Sequence, residues 1–195
     1  MVLGVIAVVL TVRPSTYANR LISLILVVLW LWVGLVFGFL VFGFWTPVIF
    51  GVPFPGFGYF FGITYLVQSL LFLYFGIFRQ AFSFRFVQNV HGVLGLILIL
   101  FAMGLYGLVG FATGYPYPLY PLFGTAPCPV AIYTMGLFLW AEKRLSPVVL
   151  LLPIGLGLIG IIPILAFGLY ADIGMLLSGV IGLFLLYRHW KWSNG

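Results

Sequence analysis

The chain has 195 residues, of which 65% are hydrophobic and 5% are charged, with a mean hydropathy of +1.31. A soluble domain carries about 25% charged residues, so a water-covered surface is excluded, and the formal charge of +6 reads as membrane sidedness, not as a nucleic-acid footprint. A single cysteine excludes an intramolecular disulfide and any CxxC redox or zinc motif.

Hydrophobic runs and their punctuation predict an all-α fold, a polytopic transmembrane helix bundle of six to seven spans forming one membrane domain over 1–195. The segments are 1–12, 21–44, 58–78, 88–112, 129–141, 146–169 and 174–188. Crossing the bilayer takes about 20 residues. The first segment is therefore a truncated span or a helix that only partly enters the membrane. The second carries Gly34 and Gly38, and the third carries Gly58 and Gly62. Small residues at this spacing let helices pack closely. Gln68 falls near the middle of the third, where an unpaired amide is costly, so it bonds to another helix or to a substrate. Asn89 and His91 begin the fourth on the cytoplasmic side, with His91 either a capping or interface residue or a proton relay or ligand.

The connection 113–128 lies within "GYPYPLYPLFGTAPCPV", which holds five prolines and Cys128. Proline is favoured at the first helical position, so Pro129 is expected to open the fifth helix with Cys128 at its cap. That helix is too short to span. Its start then lies below the outer surface, and Tyr115–Pro121 dips inward or folds over it as a lid. Irregular backbone at that depth must line a cavity or be buried in protein. The stretch thus reads as a re-entrant loop feeding a half-helix. The positive end of a helix suits an anion or an activated thiol. A thiol also suits a soft metal, yet Met135 is about 10 Å along the helix and no other soft ligand is near, so no metal is assigned. The plainer alternative is a small buried residue between two prolines.

Pro147, Pro153 and Pro163 kink or partly unwind the sixth segment. Within it "GLGLIG" matches GxGxxG formally, but no strand precedes it. Asp172, in the tight turn before the last helix, is placed to cap Gly174–Leu177. Trp190 and Trp192 read as an interfacial anchor. Alternating the segments puts Arg13, Arg20, Arg79, Arg85, Lys143, Arg144, Arg188 and Lys191 on one side. The positive-inside rule makes that side cytoplasmic, with the C-terminus, in a multi-pass protein of the cell membrane. The 113–128 loop then faces out.

The leading functional expectation is a small permease or channel-like protein with its site under the 113–128 loop, lined by Cys128, Thr134, Gln68, Tyr115 and Asp172. Half-helices and proline-broken spans are used by transporters in this way. The alternative is a non-catalytic structural subunit of a larger membrane complex. A third reading is an enzyme acting on lipid or using a metal at Cys128, although no Ser-His-Asp set, paired carboxylates or His cluster emerges. The partners expected are the lipid bilayer and either a second copy or other membrane subunits, with no nucleic acid. No cofactor is specified.

The pattern "GYP…P.FG..PCP..I.T.G", carried here by Gly114, Tyr115, Pro116, Pro121, Phe123, Gly124, Pro127, Cys128, Pro129, Ile132, Thr134 and Gly136, resembles an uncharacterised prokaryotic integral-membrane family, a domain of unknown function. "RPSTYANRLISLILVVLWLWVGLVF" and "ADIGMLLSG" are similar to it too, so the resemblance spans most of the chain. The first segment is shorter than that family's usual N-terminal helix. The resemblance implies the helix-bundle architecture and no substrate.

Overall fold

The computed structural model describes residues 1–44, 46–114 and 122–193, with side chains as far as Tyr187. Among them are seven helices. They are α1 (Val2–Val12), α2 (Thr16–Val41), α3 (Phe57–Phe78), α4 (Val90–Ala112), α5 (Pro127–Phe138), α6 (Pro147–Phe167) and α7 (Ile173–Ser193). A two-stranded hairpin, β1 (Val48–Ile49) and β2 (Val52–Pro53), joins α2 to α3. Five helices are long and apolar enough to cross a membrane: α2, α3, α4, α6, and α7 with the turn before it. At 1.5 Å per residue, the 11 and 12 residues of α1 and α5 reach only about 16–18 Å.

Local chemistry sets where these helices begin. Ser15 Oγ accepts the Ala18 N–H at 3.0 Å, so α2 opens at Thr16, ahead of the uncharged run expected from residue 21. Asn89 Oδ1 accepts the Gly92 N–H at 2.8 Å and starts α4. Helix α5 opens at Pro127, two residues before the expected Pro129, and Ala126 is its N-cap. The first-turn N–H groups have no helical partner, so prolines at the first and third positions cost no hydrogen bond. Cys128 consequently lies inside the first turn instead of at the cap. In α2, α3 and α4 the helix widens to π geometry, over Val33–Val41, Leu73–Phe78 and Phe101–Leu105. Its i→i−5 bonds run from Phe42 N–H to Phe37 O at 3.0 Å and from Arg79 N–H to Tyr74 O at 2.9 Å.

Glycines bring the helices together. Gly38 of α2 lies against Gly62 of α3, backbone to backbone. A Cβ on Gly157 of α6 would stand 2.5 Å from Gly179 Cα of α7. Helix α6 breaks at Gly160, beyond which Pro163 sits in the first turn of the second half.

Helix α5 occupies the middle of the bundle. Every residue from Pro129 to Phe138 is buried, as expected of a helix apolar all round. Its polar groups are paired internally or with other helices. Trp30 Nε1 of α2 donates to Thr134 Oγ1 at 3.0 Å, and Thr134 Oγ1 donates to Val130 O at 2.7 Å. Tyr133 OH donates to Gly4 O of α1 at 2.8 Å. Beyond its C-terminus, Trp140 Nε1 donates to Gly92 O of α4 at 3.0 Å.

At one end of the bundle the connection 79–89 runs beneath its neighbours. Phe84 N–H donates to Asn19 Oδ1 at 2.9 Å and Phe86 N–H to Thr11 O at 3.3 Å. Arg85 N–H donates to Trp140 O and Glu142 N–H to Ser83 O, both at 2.8 Å. These bonds gather the connections 13–15, 79–89 and 139–146, and the cations they carry, at the same end. Helix α7 returns antiparallel to α6, with Met175 against Gly160 and Gly182 against Ile154. Its C-terminal end therefore comes back toward that end as well.

Candidate functional site

At the opposite end, three chemically active side chains meet where α4, the first turn of α5 and the turn before α7 converge. Gly168, at φ +68°, ends α6 in a left-handed conformation that other residues rarely adopt. The chain then tightens, with Asp172 N–H donating to Leu169 O at 2.9 Å, and this turn buries Ala171 and Asp172. Gly174 abuts the Phe101 ring of α4, which leaves no room for a Cβ and draws α7 close to α4. Phe101 in turn stands edge-on to Tyr106, with ring centroids 6.1 Å apart.

This packing aims the Tyr106 hydroxyl at Asp172, where it donates to Oδ1. The Asp172 side chain therefore does not cap α7, as its place in the sequence suggested, but turns into the bundle. Asp172 is 0% exposed, and its second oxygen, Oδ2, has no hydrogen-bond partner. Cys128 interacts with both the phenol and the carboxyl from the first turn of α5 and is itself half-buried. From α3, buried Tyr65 interacts electrostatically with Cys128 and Asp172. A reactive thiol needs an open, electropositive setting. Cys128 instead faces a carboxyl and a phenol.

The other expected residues lie elsewhere or beyond description. Thr134 is fully buried and paired with Trp30, as above. Gln68 is fully buried in α3, and its Nε2 donates to Val149 O of α6 at 3.1 Å. That carbonyl lies four residues before Pro153, which has no N–H to return to it, so Gln68 supplies the donor that proline removes. Gln68 Oε1 is left without a partner. Tyr115 and the expected lid over 115–121 fall outside the described residues, as do the side chains of Trp190 and Trp192. On either side of residues 115–121, Thr113 Oγ1 donates to Val109 O at 2.8 Å, and buried Phe123 packs against the Tyr133 ring, with centroids 4.9 Å apart and planes tilted by 60°.

Sequence reasoning passed over Tyr106 and Tyr65, which looked like ordinary members of apolar runs. The available signal was chemical. A phenol within a span needs a polar partner, and Asp172 is the only acid expected at that end.

At the cation-rich end a cleft of about 150 Å³ is lined in part by Arg85, Asn89, His91, Trp140 and Glu142. Its charges are already matched, because Arg85 stands 3.7 Å from Glu142 and Ser83 Oγ donates to the same carboxylate at 2.7 Å. Among the described residues no group of three or more His, Cys, Asp or Glu side chains could hold a metal ion.

A family model described as "Family of unknown function (DUF6064)" matches residues 1–194, and the chain belongs to that family. No curated protein and no solved structure matches the chain.

Proposed function

We propose that this member of the family is a multi-pass protein of the cell membrane, a small permease or channel-like protein. Its site is the Tyr106–Asp172–Cys128 cluster, at the end of the bundle opposite the cations. Five apolar helices of spanning length support the membrane setting, and the gathering of cations at one end supports a cytoplasmic assignment for that end. The observation that carries the site is Asp172, a buried carboxyl with one oxygen held by Tyr106 and the other unpartnered. An ionisable group inside a membrane bundle is costly and marks an ion or substrate pathway by default. Helix α5, short and enclosed, gives that pathway a half-helix start of the kind transporters place at their binding sites.

The test is flux. Purified protein in proteoliposomes is challenged with hyperosmotic pulses of small solutes, and re-swelling is followed by stopped-flow light scattering. At least one solute should enter faster than into protein-free vesicles, and Asp172→Asn should remove that excess. Equal re-swelling for glycerol, acetamide, urea, ammonium and methylammonium would overturn the permease reading. Other chains retained through purification in mild detergent would then support the subunit alternative.

A further inference from the structure

We infer that the Asp172 site takes a small N–H-bearing cation of the ammonium class. This rests on reading the cluster as the site of the proposed permease and names what that site recognises. Among the described residues, two buried side-chain polar atoms lack partners, Asp172 Oδ2 and Gln68 Oε1, and both are acceptors. An unpartnered buried acceptor costs about 1–3 kcal/mol unless a donor reaches it. The complement of Asp172 Oδ2 is therefore a hydrogen-bond donor, and a cationic donor answers a carboxylate best.

The first turn of α5 argues against the opposite sign. A helix N-terminus binds anions through its free N–H groups, but here Pro127 and Pro129 remove two of those donors, and a carboxyl interacts with the turn through Cys128. A hard metal cation fits poorly as well. Such ions collect six or more oxygen ligands, whereas the side chains here offer the free Asp172 oxygen, the Tyr106 and Tyr65 hydroxyls and a thiol. Two rings adjoin the cluster: Tyr65, which interacts electrostatically with Asp172, and Phe101, edge-on to Tyr106. Ring faces attract organic and ammonium cations. An ammonium ion can satisfy one carboxylate oxygen and one phenol oxygen and rest its remaining N–H groups on π faces.

The chain contains a single aspartate, so protein labelled with [4-13C]aspartate carries one side-chain 13C resonance, that of Asp172. Detergent-solubilised full-length protein is titrated with ammonium chloride and then methylammonium chloride, at fixed pH and ionic strength, with sodium chloride and choline chloride as controls. Ammonium should displace the resonance saturably, and neither control should. Tyr106→Phe should raise the ammonium midpoint about tenfold, the equivalent of one lost hydrogen bond. If that variant fails to fold, the wild-type titration still decides. A resonance unmoved by ammonium, or moved equally by sodium or choline, would overturn the proposal. Binding without flux in the vesicles would refute the permease and leave this site. Flux of a neutral solute with the resonance fixed would refute the ammonium class and leave the permease.

Discussion

Replacing Gln68 by leucine separates two opposing effects that the geometry places on one side chain. The substitution removes the donor to Val149 O, 3.1 Å away, and also removes Oε1, a buried acceptor with no partner. Losing the bond and stranding the carbonyl costs about 1–3 kcal/mol, and deleting the orphaned acceptor recovers an amount of the same order. Leucine is close to glutamine in volume, so little cavity or overpacking is added. The net expectation is a destabilisation of about 0–2 kcal/mol, which alone decides nothing. The deciding measurement is the same substitution in a Pro153→Ala background. There residue 153 regains its N–H and donates to Val149 O within the helix, so Gln68→Leu removes only the orphan and becomes neutral or stabilising by about 1 kcal/mol. The two substitutions should therefore couple by about 1–3 kcal/mol, far above the few tenths expected of independent sites. SDS titration of the four proteins, followed by circular dichroism, measures this. Additivity within about 0.5 kcal/mol would refute the argument that Gln68 replaces the donor missing at Pro153.

Two further outcomes follow from the packing. Gly157→Ala should destabilise by about 1–3 kcal/mol in the same assay, because its Cβ would stand 2.5 Å from Gly179 Cα and 2.7 Å from its nitrogen. Gly155→Ala, two residues away with nothing within 4 Å, should be neutral or stabilise α6 by about 0.5–1 kcal/mol, and an equal loss at both positions would refute the contact. In a Cys128→Ser background, a cysteine at exposed Val48 in the hairpin should label from outside intact cells with an impermeant thiol reagent. One at Ser83 should label only after permeabilisation, and labelling of both from the same side would sink the orientation.

Much of the architecture was legible in the sequence because it depends on local chemistry. Uncharged runs bounded by Pro, Gly and basic residues locate all seven helices to within five residues at each end, and the five long ones have the length and apolarity to span. The Gly34/Gly38 and Gly58/Gly62 stripes pointed to close packing, and Gly38 does meet Gly62. The need of a buried amide for a partner puts Gln68 in a hydrogen bond without naming the partner. Even the misplaced start of α5 was a local ambiguity, since two prolines spaced two apart can both sit in a first turn.

Only the tertiary structure decided which groups face one another. Asp172 and Tyr106 are 66 residues apart, and each alone has an ordinary reading, a cap for the acid and a lipid-facing or packing ring for the phenol. Gly174 against Phe101 draws their helices together and turns the carboxyl inward, away from the N–H groups it would otherwise cap. The link from Gln68 to Pro153 is of the same kind: proline announces a missing donor, but not that a side chain 81 residues from Val149 replaces it. Hydropathy and punctuation act over a few residues along the chain. The pairing of buried donors with acceptors is set by which helices touch, and so by packing across the whole bundle.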